Sequence, residues 1–342
     1  MDKSHVKNAT DKSHCDFQLP GFVAQKHAVA SSIAATAFAY SRRTNQRRLE
    51  DPFYAFWGHV FFCLIFDLAP EVFLAPQLTL YDGHVAADPD HSSSTIPGNT
   101  TGDQRPDFVI MAVSLDHRYL SNRTVGTSEH TRFPTDFMSW DSMKIIAAHP
   151  LVVAELKTCV PRSATRDEFM KRLHSLMGDA FDQLEDRADQ IFNASNNYQG
   201  VDTLVLIAAC GEWWRFKIAR RDAYSTAGNI FDKSSKDSEM VDYRHELPEP
   251  KPKGPRPRQV CRYLGDVVVR KPPFSELFVD NVDQAMPEED EWSLNINFGS
   301  KASNQRMYLI HKLLLELRDE LTGGGIPDYS EVRISSVHTA TH

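Results

Sequence analysis

Asp107, Glu155 and Lys157 are the residues of this chain whose types and spacing suit bond-breaking chemistry. Glu155 and Lys157 close the apolar run 151–157 (LVVAELK), and Asp107 follows Pro106 at the head of a second apolar run, 108–113 (FVIMAV). In an extended strand alternate side chains share a face, so Glu155 and Lys157 point one way and Leu156 the other. Ending a buried strand with two charges costs desolvation unless they meet a partner, a metal ion or solvent. An adjacent strand carrying Asp107 adds a second carboxylate. Two carboxylates and a main-chain carbonyl make a hard oxygen site suited to Mg²⁺ or Mn²⁺. An ammonium group beside it offsets charge on a pentavalent phosphate, which completes a parts set for metal-assisted phosphodiester hydrolysis. Plainer readings stand beside this one: Asp107 as a turn cap, and Glu155 with Lys157 as an exposed ion pair at a sheet edge.

Stepping outward from these residues, the periodicity predicts the elements that hold them. A helical pattern runs from Phe22 to Arg48 and ends in the basic group Arg42, Arg43, Arg47 and Arg48. Asp51-Pro52 starts a second helix over about 52–68, apolar nearly all round and therefore buried. Extended segments follow at 72–81 and 105–113, separated by a loop of turn formers at 82–104. The 151–157 strand leads to an amphipathic helix over 166–192, and 203–209 is a further strand. This order describes an α/β fold, a central mixed β-sheet flanked by helices.

In these residues the chain resembles the PD-(D/E)XK nuclease superfamily, the restriction-endonuclease-like fold. The matching positions are RPDFVI at 105–110 and LVVAELK at 151–157, followed by the helix 166–192 and the strand 203–209. The resemblance spans about 45–220 in element order and rests chemically on Pro106, Asp107, Glu155 and Lys157. It implies that Asp107 and Glu155 ligate Mg²⁺ or Mn²⁺, that the Leu156 carbonyl completes the shell, and that Lys157 assists the attacking water. The implied substrate is nucleic acid, DNA ahead of RNA. Some members add a carboxylate from the first core helix; Glu50 and Glu71 flank that helix here, and neither is assigned. Gln183 and Lys171 are candidates for a polar residue on the helix after the lysine strand. The alternative function is a catalytically inactive nuclease-like fold, or an α/β module that binds nucleic acid or protein.

The domain layout expected is an N-terminal arm (1–20), a nuclease-like core (21–230) with an insertion at 114–148, and a Pro/Lys/Ser-rich linker (231–260). C-terminal elements at 261–325 form an extension, with a short strand at 266–269 and a helix at 303–321, before a tail at 326–342. For nucleic-acid contact, Arg162, Arg166, Lys171 and Arg172 lie just after the candidate site, where the first helical turn also offers free N–H groups. Trp213, Trp214, Arg215, Phe216 and Lys217 read either as a base-stacking strip or, preferably, as a core strand with outward basic stems.

Composition bounds the rest. The 342 residues carry a net charge of −8 and a pI near 6.0, which excludes whole-surface DNA binding and calls for a local basic patch. Five scattered cysteines without a CxxC read as reduced thiols, and Cys159 has no histidine placed to make it a nucleophile. The polar N-terminus lacks a signal-peptide core, and the longest apolar stretch, 53–66, is short for a bilayer span. The expectation is an intracellular protein of nucleus or cytoplasm, not secreted, without membrane partners. Lys251, Lys253, Arg256 and Arg258 read as a solvated linker ahead of an import signal, and Asp88, Asp90 and His91 lack the spacing of a closed metal site.

Overall fold

The computed structural model describes residues 14–41, 43–47, 49–80, 105–117, 137–161, 163–193, 198, 200–225 and 291–322. The expectations placed on the arm before residue 14, the loop 82–104, the linker 231–260, the strand 266–269 and the tail 326–342 lie outside them.

The protein is an α/β fold around a six-stranded mixed sheet flanked by helices. Three short elements open it: α1 (Pro20–Ala24), α2 (Ala28–Tyr40) and α3 (Asp51–Leu64). The sheet holds β1 (Val72–Pro76), β2 (Phe108–His117), β3 (Met143–Lys157), β4 (Thr203–Cys210), β5 (Trp213–Arg220) and β6 (Ile296–Asn297), in that spatial order. Between them come α4 (Arg166–Asn193) and α5 (Arg221–Ser225), and α6 (Lys301–Thr322) follows β6. Neighbouring strands are antiparallel except β3 and β4, which run parallel because α4 crosses over between them.

The apolar sequence of α3 accounts for its place. Phe53, Phe56, Trp57, Val60, Phe61, Cys63 and Leu64 are all buried, so this helix lies inside one face of the sheet with α6 and not in a bilayer. Among the described residues no helix is long and apolar enough to cross a membrane. On that face Phe108, Ile110, Ala154, Leu156, Ile207 and Trp214 meet α3. The opposite face buries Val153, Leu206 and Ala208 under α4, whose Phe169, Leu173, Met177, Ala180, Leu184 and Ile191 recur at the three- and four-residue spacing read from the sequence.

Three expectations change. The helix expected over 22–48 is two helices ending at Tyr40; the segment after it is a turn whose backbone is satisfied by the buried Asn45 side chain, bonded to Ala39 O at 3.1 Å and to Leu49 O and N at 2.9 and 2.8 Å. The strand expected over 72–81 stops at Pro76, where Gln77 turns the chain with φ 51°. The flanks of the insertion at 114–148 are strand: β2 and β3 stay paired out to His117 and Met143. For the C-terminal elements, which the sequence leaves open between packing on the core and forming a separate domain, the described part packs on the core: β6 pairs with β5 and α6 joins the α3 face. The aromatic-basic run resolves as the core strand β5, with Trp213, Trp214 and Phe216 no more than 2% exposed and so closed to stacking bases.

Candidate functional site

The register of β2 against β3 sets the first condition. Phe108 pairs with Ala154, which brings Asp107 and Glu155 to the next position along the same two strands. Along β3, Ala154 and Leu156 enter the α3 face and Val153 the α4 face, so Glu155 and Lys157 share the α4 side. The backbone of Asp107 is fixed by Gln77, whose N–H donates to its carbonyl at 3.0 Å.

Both charged ends of this strand pair are buried. Asp107 is 8% exposed: one carboxylate oxygen accepts the Tyr54 hydroxyl at 2.5 Å, and the other accepts the Leu156 N–H at 2.6 Å. Glu155, 6% exposed, accepts Lys157 Nζ at 2.8 Å on one oxygen and the Arg187 guanidinium on the other. Lys157 also donates to Gln183 Oε1 at 2.6 Å, and Arg187 donates to the Arg105 carbonyl at 3.2 Å. Gln183 and Arg187 are one helical turn apart on α4, and Glu50 and Tyr54 are one turn apart at the start of α3, where Glu50 already has helical dihedrals. Each flanking helix therefore sends a pair of side chains to the strand ends.

The Asp107 charge also reaches a further acid, Glu50. Burial and then the Asp107 charge push the Glu50 carboxyl up, with Glu155 and Asp51 adding to the effect and Lys157 opposing it. Burial and then Glu155 push Asp107 up, against the Tyr54 and Leu156 hydrogen bonds and the Arg187 charge. Burial beside Asp107 drives the Tyr54 hydroxyl well above the phenol range. Three acids thus face two cations, Lys157 and Arg187. Glu71, the other flanking acid, sits at the far end of β1: its carbonyl accepts the Val113 N–H at 2.8 Å, and six residues of strand, about 20 Å, separate Val113 from Asp107.

Hard oxygen donors are the kind that divalent cations take. Among the described residues, however, no three His, Cys, Asp or Glu side chains come together as a ready cation site. The oxygens of Asp107 and Glu155 are instead held by protein donors.

The other expected residues are not brought to the acids. Arg162 lies outside the described residues. Arg166, Lys171 and Arg172 are exposed on α4, 17, 12 and 11 residues before Gln183, or about 25, 18 and 17 Å of helix, and Arg172 comes near enough to Cys210, the register partner of Lys157, to act on its thiol. The first turn of α4 is closed by its own capping box: the Thr165 N–H donates to Glu168 Oε2 at 2.9 Å and the Glu168 N–H to Thr165 Oγ1 at 3.4 Å. A carboxylate therefore occupies the place a phosphate would take. Cys159 is buried, and beside it burial pushes the Cys210 thiol up, away from the activated thiolate.

Sequence reading passed over Tyr54 and Arg187. The signal available for both was the four-residue spacing, Glu50 to Tyr54 and Gln183 to Arg187, on helices already predicted. Compared with known families, curated proteins and solved structures, the chain matches none.

Proposed function

We propose that the protein is a divalent-metal-dependent nuclease of PD-(D/E)XK type, cleaving phosphodiester bonds of nucleic acid, DNA ahead of RNA. The observation that carries this reading is the meeting of Asp107 and Glu155 at adjacent register positions of β2 and β3, with Lys157 on the Glu155 side. The element order, from α3 through three antiparallel strands to α4 and a parallel β4, agrees with a restriction-endonuclease-like core.

Asp107, Glu155 and the Leu156 carbonyl would hold Mg²⁺ or Mn²⁺, which supplies a more acidic bound water and charge neutralisation at phosphorus. The chain's own contributions follow from the contacts. Gln183 and Glu155 hold the Lys157 ammonium with one proton left to donate, to a phosphate oxygen or to the attacking water. The Leu156 N–H and the Tyr54 hydroxyl fix the plane of the Asp107 carboxylate, and Arg187 does the same for Glu155. Glu50, pushed up by burial and by Asp107, is the group suited to accept and release a proton nearer neutrality.

One observation favours a second reading, an inactive nuclease-like fold that binds nucleic acid or protein: both Glu155 oxygens are already taken by cations. The two readings part on one experiment. Purified protein is incubated with plasmid, linear DNA and RNA in Mg²⁺ or Mn²⁺, beside Lys157→Ala. The nuclease reading expects cleavage that Lys157→Ala lowers by about 10²- to 10³-fold with the fold intact by circular dichroism. Equal inertness of both proteins on every substrate overturns it.

A further inference from the structure

The turn between α2 and α3 carries a basic cluster that the catalytic contacts leave unused. Its shape is built. Asn45, 6% exposed, ties Ala39 to Leu49 through three hydrogen bonds. The Thr44 hydroxyl donates to Phe38 O at 2.6 Å, and the N–H of Asn45 donates to Ser41 O at 2.8 Å. With its backbone satisfied inward, the turn presents Arg43 and Arg47 to solvent. Arg47 precedes Glu50 by three residues, so their Cα atoms lie within about 11 Å of each other. Arg105, also exposed, precedes Asp107 by two residues, and its carbonyl is held by Arg187 at 3.2 Å. Among the described residues none of these three arginines makes an ion pair; the exposed acid beside them is Asp51.

Arg43, Arg47 and Arg105 are exposed and free of ion pairs among the described residues, and planar guanidinium forks match phosphate oxygens. We infer that Arg43, Arg47 and Arg105 form the surface that holds the nucleic-acid phosphate backbone against the acids at Asp107, Glu155 and Glu50. This inference rests on the nuclease reading for the identity of its ligand, but not on catalysis. It places the backbone contact on this turn in preference to Arg166, Lys171 and Arg172 of α4, the first of which stands beside the self-capped start of that helix.

The test is binding without turnover. The full chain is titrated in EDTA into fluorescein-labelled 30-mers, single-stranded DNA, duplex DNA and RNA, across a KCl series, and read by anisotropy. The triple variant Arg43→Ala/Arg47→Ala/Arg105→Ala is expected to bind at least about tenfold more weakly and to lose about two to three contacts from the salt slope, at about 0.9 each on duplex and 0.7 on single strands. Arg166→Ala/Arg172→Ala stays within about twofold of wild type. The triple Arg→Gln variant, which retains the aliphatic stems, is measured in parallel and must show the same loss. Unchanged affinity and slope in the triple variants overturn the inference, as does a wild type that binds none of the oligonucleotides. Arginine-dependent binding to vesicles containing phosphatidylserine, without binding to oligonucleotides, also overturns it. Arginine-dependent binding by a protein that never cleaves sinks the nuclease reading alone.

Discussion

Glu155 and Glu185 each hold a lysine, the half-buried Lys157 at 2.8 Å and the buried Lys217 at 2.9 Å, and both clusters involve α4. Their surroundings differ. Glu185 answers one cation, Lys217, and two neutral donors, the Tyr224 hydroxyl and the Trp292 indole at 2.9 Å. Trp292 in turn stacks on Phe181, with the Arg215 guanidinium 4.7 Å from that ring, so the cluster fastens the returning chain to the sheet. Its charges balance and its donors are used. Around Glu155 the acids outnumber the cations: burial and then Glu155 push the Asp107 carboxyl up, and burial and then Asp107 push up that of Glu50. A balanced ion pair under a helix is architecture. An acid-rich one retains repulsion that a cation or a proton would relieve, and on the nuclease reading that is what sets a reactive site apart from a brace built of the same residue types.

The sharpest way to break this contrast is to remove each charge in turn. Glu155→Gln is expected to lower cleavage by about 10²-fold or more, whereas Glu185→Gln leaves the rate within about twofold; equal losses would erase the distinction. Stability then separates the clusters in the other sense. Glu185→Ala strands a lysine 10% exposed and should cost about 2–3 kcal/mol in urea denaturation, after allowing for the partial exposure of Glu185 itself. Arg187→Met leaves Glu155 its bond to Lys157 but loses the Arg105 tether, so the cost at neutral pH is about 2 kcal/mol. That cost shrinks on acidification, because Arg187 also helps keep Asp107 ionised.

The smallest effect has the opposite sign. Glu50 is pushed up in the folded protein, so the native state holds its proton more tightly than the unfolded chain. The resulting stabilisation is complete below the unfolded carboxylate range and is lost as pH climbs through the folded value. Glu50→Gln removes that loss and should raise stability at pH 7 by up to about 0.5 kcal/mol, with a gain that vanishes toward pH about 4. A loss of stability at neutral pH would show that Glu50 is held by attraction and does not belong with the crowded acids.

The strand pair and its acids were legible because their signals are local. An apolar run ending in Glu155 and Lys157 can be read by alternation, and the long α4 by its three- and four-residue spacing. The helix α3 was legible from unbroken apolarity, although its last residues relax into a 3-10 turn at Phe66–Leu68. What escaped depended on contacts between distant segments. Arg187 reads as one more charge on an amphipathic helix until β3 is placed beneath it, and Tyr54 as one more aromatic in an apolar helix until Asp107 arrives beside it. The turn after Tyr40 escaped for another reason: alanine-rich periodicity carries no sign that Asn45 will satisfy the backbone better than a further helical turn.

The ladder between β2 and β3 is interrupted twice, between Ile110 and Met111 and again between Ser114 and Leu115. Inward of these bulges, Ile110 is gripped from both sides, by Leu74 of β1 and Val152 of β3, and Val152 is itself joined to Val205 of β4. Beyond the second of them, no third strand pairs with β2 or β3 among the described residues. Residues gained or lost toward the hairpin's end are absorbed at the irregularities before they reach Phe108 and Ala154. The chain is thereby free to lengthen or shorten at one extremity while the pairing that aligns Asp107 with Glu155 stays in step.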